Sequence, residues 1–167
     1  MQPQQEYDLS MTSQPVPYME RTRLYYEAQG FEKPYVWAHF DEVPFTPLAK
    51  PLQESTLALI TTASLYDRAP TDVREVASAS STTPPPRLYG NDLSWDKKTT
   101  HLDDRSSYLP IEYLTELVAD GRIGALSKRF HCAPTEYSQK HTLEVDAPEI
   151  LRRCREDAVD VALLVPL

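Results

Sequence analysis

The run "VALLVPL" at residues 161–167 constrains the fold more than any other stretch of this chain. Val161, Ala162, Leu163, Leu164, Val165 and Leu167 are apolar, with no polar residue between them. Such an unbroken run has the pattern of a strand buried on both faces of a parallel sheet. In open parallel sheets ligands bind just beyond the carboxyl ends of the strands, so the residues that end each strand are the first place to look for chemistry.

A second strand signal lies at residues 56–63, "TLALITTA", where Leu57, Leu59, Ile60 and Ala63 sit among β-branched threonines. Its carboxyl end carries Thr61, Thr62 and Ser64, small polar residues suited either to line a site or to cap the next turn. Between the two runs, Ile111, Leu114, Leu117 and Val118 form the stripe of a helix that Pro110 opens and Gly121 closes. In "DAPEILRRCRED" the stripe is Ala147, Ile150, Leu151 and Cys154, with Asp146 expected as N-cap and Pro148 and Glu149 in the first turn.

Strand, helices and buried strand predict an α/β fold with right-handed crossovers. The expected architecture is an incomplete Rossmann-like or flavodoxin-like parallel sheet with flanking helices, preceded by an irregular Pro- and Tyr-rich N-terminal segment. Residues 1–50 are expected to hold a polar tail, an amphipathic helix at 17–28 and an extended aromatic segment. Tyr18, Thr22, Tyr25 and Tyr26 share one side of that helix, and Gly30 stops it. Tyr35, Trp37, Phe40 and Phe45 are expected to pack as core rather than form a ligand platform. Residues 51–167 are expected to hold the α/β domain. Residues 69–90 read as a Ser-, Thr- and Pro-rich loop, in which "PPPR" is a rigid spacer.

Composition narrows the function classes. A net charge of −8, with no basic stripe, argues against a polyanion partner. No window approaches the ~18–20 apolar residues of a membrane span. The first residues also lack the basic start and apolar segment of a secretory signal, so the expected location is the cytoplasm. Cys132 and Cys154, which form no CxxC pair, are then expected to be reduced thiols. Four glycines include no phosphate-cradling loop.

Few constellations carry chemistry by themselves. "THLDD" offers His101, Asp103 and Asp104 either as a metal corner or as a hydrogen-bonded turn. His131 and Cys132 are adjacent, and neighbours on a strand point to opposite faces, which makes a poor nucleophile–base pair. Tyr137, Ser138, Lys140 and His141 lack catalytic spacing, and Cys154 reads as a small core residue.

Three stretches, "NDLSWDKKTTHLDDRSSYLPIEYL", "GRIGALSKRFHCAPTEYSQKHTLEVDAPEILRRCRED" and "VDVALLVPL", resemble the selenoprotein B family in order and spacing. Its members are the catalytic subunits of glycine, sarcosine, betaine and D-proline reductases, and the chain is most similar to the D-proline-reductase-like branch. The resemblance covers roughly residues 44–167. It implies reductive cleavage of a carbon–nitrogen bond in an amino-acid-type substrate by a selenol or thiol nucleophile. In the better-known members a pyruvoyl group on a partner subunit activates the amine. The resemblance further implies a dithiol reductant or reductase subunit as partner, and possible assembly into oligomers.

The resemblance puts the redox selenocysteine or cysteine immediately after Leu167. No catalytic residue, metal or cofactor is expected within the chain itself; selenocysteine is expected in the full-length protein. The associated expectation is that a UGA codon was read as a stop, leaving an inactive N-terminal part with uncovered sheet faces. Thr61, Thr62 and Ser64 are expected to border the pocket, and His101 and Asp103 match family motif positions without an assigned role. Two other readings stand beside this one: a short non-catalytic paralogue acting as a binding or interaction module, and an independent hydrolase or metal-dependent enzyme using His101, Asp103 and Asp104.

Overall fold

The computed structural model describes residues 17–31, 33, 36–44, 46–69, 73–90, 101–135 and 138–167. The chain divides into two units, Met1–Val43 and Pro44–Leu167. In the first, α1 (Tyr18–Ala28) starts after Pro17 and ends at Gly30, whose φ of 86° is open to glycine and costly for other residues. Arg23 bridges Glu20 and Glu27 along its surface. Tyr26 meets Tyr25 and Phe31 edge-on, each at 5.7 Å between ring centroids. No residue of α1 is buried, and Phe40 is exposed. Of the other aromatic residues expected in a core, Trp37 is half-buried, and Tyr35 and Phe45 lie outside the described residues.

The second unit is a mixed α/β layer structure. Among the described residues, five strands form one sheet. They are β1 (Thr56–Thr61), β2 (Ala77–Ser80), β3 (Ala125–Leu126), β4 (Arg129–Cys132) and β5 (Val161–Val165). β1 is central. β5 pairs parallel to it along one edge, from Leu57↔Val161 to Thr61↔Val165. β3 and β4 pair parallel to it along the other edge. β2 closes that side antiparallel to β4.

β3 and β4 act as one strand interrupted by a bulge. Leu57 faces Leu126 and Ile60 faces His131, so the β3–β4 side holds two more residues than β1 over the same stretch. Gly124 makes the start of β3 possible: a Cβ there would lie 2.8 Å from backbone atoms of Glu54 and Ser55.

Helices cover both faces. α2 (Ile111–Ala119) packs Ile111 and Leu114 into a core with Leu57, Leu59, Phe130, Cys132 and the fully buried Tyr108. Gly121, at a φ of 69°, ends this helix as its sequence position predicts. On the opposite face, α3 (Gln139–His141), a π turn (Thr142–Asp146) and α4 (Ala147–Glu156) follow one another, and Cys154 faces Ile60 across a groove.

Three expectations need correction. The loop at 69–90 contains β2, whose "ASAS" is too small and polar to show a strand pattern and is specified by pairing with β4. Asp146 does not cap a helix; it lies in the π turn, and the cap is Ser138, whose Oγ accepts from His141 N at 3.2 Å. The helix starts earlier than Pro148 suggests because the Ala147 N–H reaches back to Thr142 O, a wider turn that precedes the missing donor of Pro148. Finally, β5 is not buried on both faces. It is an edge strand among the described residues, with Leu164 67% exposed and a groove of about 410 Å³ between it and α4.

Gly124→Ala is expected to lower stability by about 1–3 kcal/mol, because the neighbouring atoms are backbone and cannot rotate away. Urea denaturation of the variant measures this, and an unchanged midpoint would refute the close-approach argument.

Candidate functional site

The carboxyl ends of β1, β4 and β5 lie level, since Thr61 is in register with Cys132 on one side and Val165 on the other. Beyond β1 the chain must turn, and its hydroxyls divide the work. Thr61 is buried and its Oγ1 accepts from Ala63 N at 3.2 Å. Ser64 Oγ donates to Tyr66 O at 2.7 Å and accepts from Tyr66 N, while its backbone exchanges two hydrogen bonds with Tyr89. Thr62 reaches sideways: its Oγ1 accepts from Leu167 N at 2.8 Å and ties the end of β1 to the end of β5. Thr62 and Ser64 also line a narrow cleft with Arg68, Arg74 and Cys132.

Cys132 and His131 point to opposite faces of the sheet, as adjacent strand residues must. Cys132 joins the hydrophobic core on the α2 side. Burial pushes its thiol up to about 12, against the smaller opposing effects of the Arg68 charge and a hydrogen bond from Leu65 N. Cys154 is also buried, and its thiol is raised chiefly by burial, with Asp157 adding to the effect. Both environments disfavour the thiolate, the nucleophilic form.

His131 is fully buried on the other face. Its Nδ1 lies 2.8 Å from Ser78 Oγ, which also accepts from Arg153 Nη1 at 2.8 Å. The arginine can only donate to the serine oxygen, and His131 Nε2 is buried with no hydrogen-bond partner among the described residues. Burial, followed by the Arg129 and Arg153 charges, lowers its pKa below the ordinary 6.5.

His101 and Asp103 are exposed and away from the cleft residues, with His101 Nδ1 3.4 Å from Asp103 Oδ2. Asp104 Oδ1 accepts from Ser106 N at 3.0 Å, so "THLDD" is built as a hydrogen-bonded turn. Among the described residues, no three His, Cys, Asp or Glu side chains gather as a metal site. Ser138 caps a helix, Lys140 faces Glu144 and His141 faces Asp146; Tyr137 lies outside the described residues. No described helix is long and apolar enough to cross a membrane.

Sequence reasoning missed Arg68. "YDRAP" matches no motif, and the only available signal was an arginine soon after a strand's carboxyl end.

Two predictions follow from these environments. In the folded chain at pH 8, Cys132 should react with a disulfide reagent on the order of 1,000-fold more slowly than an ordinary thiol, since its pKa is raised from 9.0 to about 12. Rapid labelling without unfolding would contradict its burial. For His131, the unfolded chain takes up a proton as pH falls through about 6.5, while the folded chain does so only at lower pH. Stability should therefore fall on acidification, with a His131 share of up to about 1.4 kcal/mol per pH unit. Denaturation of His131→Gln between about pH 7 and 5 should show a correspondingly shallower slope, and an identical slope would refute the assignment.

Comparison with family models, with curated proteins and with solved structures finds no match to this chain.

Proposed function

We propose that this chain is the N-terminal part of a reductase of the glycine, sarcosine, betaine and D-proline reductase family. The finer fold reading belongs to the same proposal: the three parallel tracks run second, first, third across the sheet, the order that opens a flavodoxin-like fold. The order reverses at β1, so the crevice between the carboxyl ends of β1 and β5 is where such a fold binds its ligand.

The observation that carries the reading is the hydrogen bond from Leu167 N to Thr62 Oγ1, in that crevice. The redox selenocysteine or cysteine is proposed to follow Leu167 directly. Thr62 would then set the direction in which that nucleophile leaves the sheet. In the reaction the carbon–nitrogen bond breaks, the carbon and the nitrogen each take up a proton, and the two electrons come from the nucleophile and a neighbouring thiol, which join in a selenium–sulfur or disulfide bond. A dithiol partner returns those electrons. The unreactive environments of Cys132 and Cys154 support a nucleophile outside the described residues. A cytoplasmic location and an amino-acid-type substrate are part of the same reading.

One observation favours a second reading, a non-catalytic interaction module. β5 exposes Leu164 and carries no neighbour on its outer edge among the described residues, as a strand built to receive a partner would.

Reading the gene beyond the Leu167 codon separates the two. A UGA codon, followed by an open frame with proline and cysteine codons and a selenocysteine-insertion hairpin, or a cysteine codon in its place, is the outcome expected for the reductase. A UAA or UAG codon with no such frame beyond it would overturn the reductase reading in favour of the interaction module.

A further inference from the structure

We propose that Arg68 receives the carboxylate of the substrate at the cleft beyond the carboxyl ends of β1 and β4, an assignment that rests on the reductase reading above. Its guanidinium is held in place from two sides. It lies 5.2 Å from the centroid of the Tyr66 ring, and its Nη1 donates to Val73 O at 2.9 Å. This uses one of five N–H donors and leaves a planar fork of the kind that matches a carboxylate.

Arg68 also stands apart from the acids. Arg23, Arg105, Arg129, Arg152 and Arg153 each pair with a glutamate or aspartate. Arg68 has no such partner among the described residues, and Glu75 lines the same cleft without coming within 4.0 Å of it. In a chain of net charge −8, a half-buried arginine kept off the carboxylates at one end of the sheet makes a local positive field. Arg74 adds a second guanidinium to the cleft, where it donates to Thr135 O.

Size and donors agree with this role. The cleft encloses about 20 Å³, room for one oxygen-sized group rather than a whole amino acid. A carboxylate oxygen can enter while the rest of the substrate stays at the mouth, beside the β1–β5 crevice. Thr62 Oγ1 already accepts from Leu167 N, so its own hydroxyl hydrogen is available to a second oxyanion oxygen.

The test is an NMR titration of the 167-residue chain with sodium acetate, D-proline and inorganic phosphate, following the Arg68 Nε–H and the Thr62 and Leu167 amides. Acetate and D-proline should shift all three saturably. Arg68→Gln should raise the acetate midpoint, read at the two amides, by about ten-fold or more, with Arg68→Lys in between. If Arg68→Gln fails to fold, Arg68→Lys and Tyr66→Leu carry the comparison, and wild-type midpoints in both would refute the role. Unsaturable shifts, or an unchanged midpoint in a folded Arg68→Gln, would also overturn the proposal. Saturation by phosphate but not by acetate or D-proline would make this a free-phosphate site and overturn it. Failure of the reductase reading is separable: a UAA or UAG codon after Leu167 with saturable acetate binding would leave the anion site standing and remove its substrate.

Discussion

Everything in the larger unit is arranged around one constraint: β1 hydrogen-bonds on both edges to strands that run parallel to it. A parallel neighbour cannot be reached by a tight turn, so each pairing needs a long crossover. α2 lies in the crossover from β1 to β3 and packs on one face; α3 and α4 lie in the crossover from β4 to β5, and α4 faces Ile60 on the other. Because β3–β4 and β5 flank β1 on opposite sides, the carboxyl ends of three strands come together where the chain direction reverses. Thr62, Arg68 and Cys132 meet there although separate elements carry them.

The two ends of the sheet are built differently. At the amino ends acids pin the layers together. Asp157, with its side chain 1% exposed, accepts from Arg129 Nε at 2.7 Å and Nη2 at 3.0 Å and pairs with Lys128. These bonds, those from Arg129 first, hold its carboxyl below the ordinary range. They also fasten the β3–β4 bulge to the end of α4. Asp160 accepts from Thr56 N at 2.8 Å and pairs with Lys50, so β1 and β5 start in register. At the carboxyl ends the cleft side chains are hydroxyls, a thiol and arginines, with Glu75 the acid at its lining. Stability is concentrated at one end and chemistry is left to the other, a division common in open α/β sheets.

β5 is where the architecture and the proposed function meet. Its inner edge is fully engaged with β1, while Leu164 and the groove beside α4 stay open. An apolar strand in this position suits either further sheet or a partner, which is why the two functional readings diverge here and at no other point of the fold.

Much of this was legible from local pattern. The apolar run of β1, the stripe of α2 and the stops at Gly30 and Gly121 depend on side-chain periodicity and backbone freedom, properties each segment carries alone. So do the opposite orientations of His131 and Cys132. What depends on a distant partner was not legible. β2 exists because β4 is beside it, the helix before β5 starts at Ser138 because a π turn absorbs Pro148, and β5 is exposed because its outer edge has no strand among the described residues. Thr61, Thr62 and Ser64 were identified together as either lining or capping, and only tertiary contacts assign each hydroxyl: two turn inward to their own loop, and Thr62 reaches Leu167 across 105 positions of sequence. Local sequence sets what a segment can become, whereas hydrogen-bond partners and burial are properties of pairs, and pairs are decided only when the chain closes on itself.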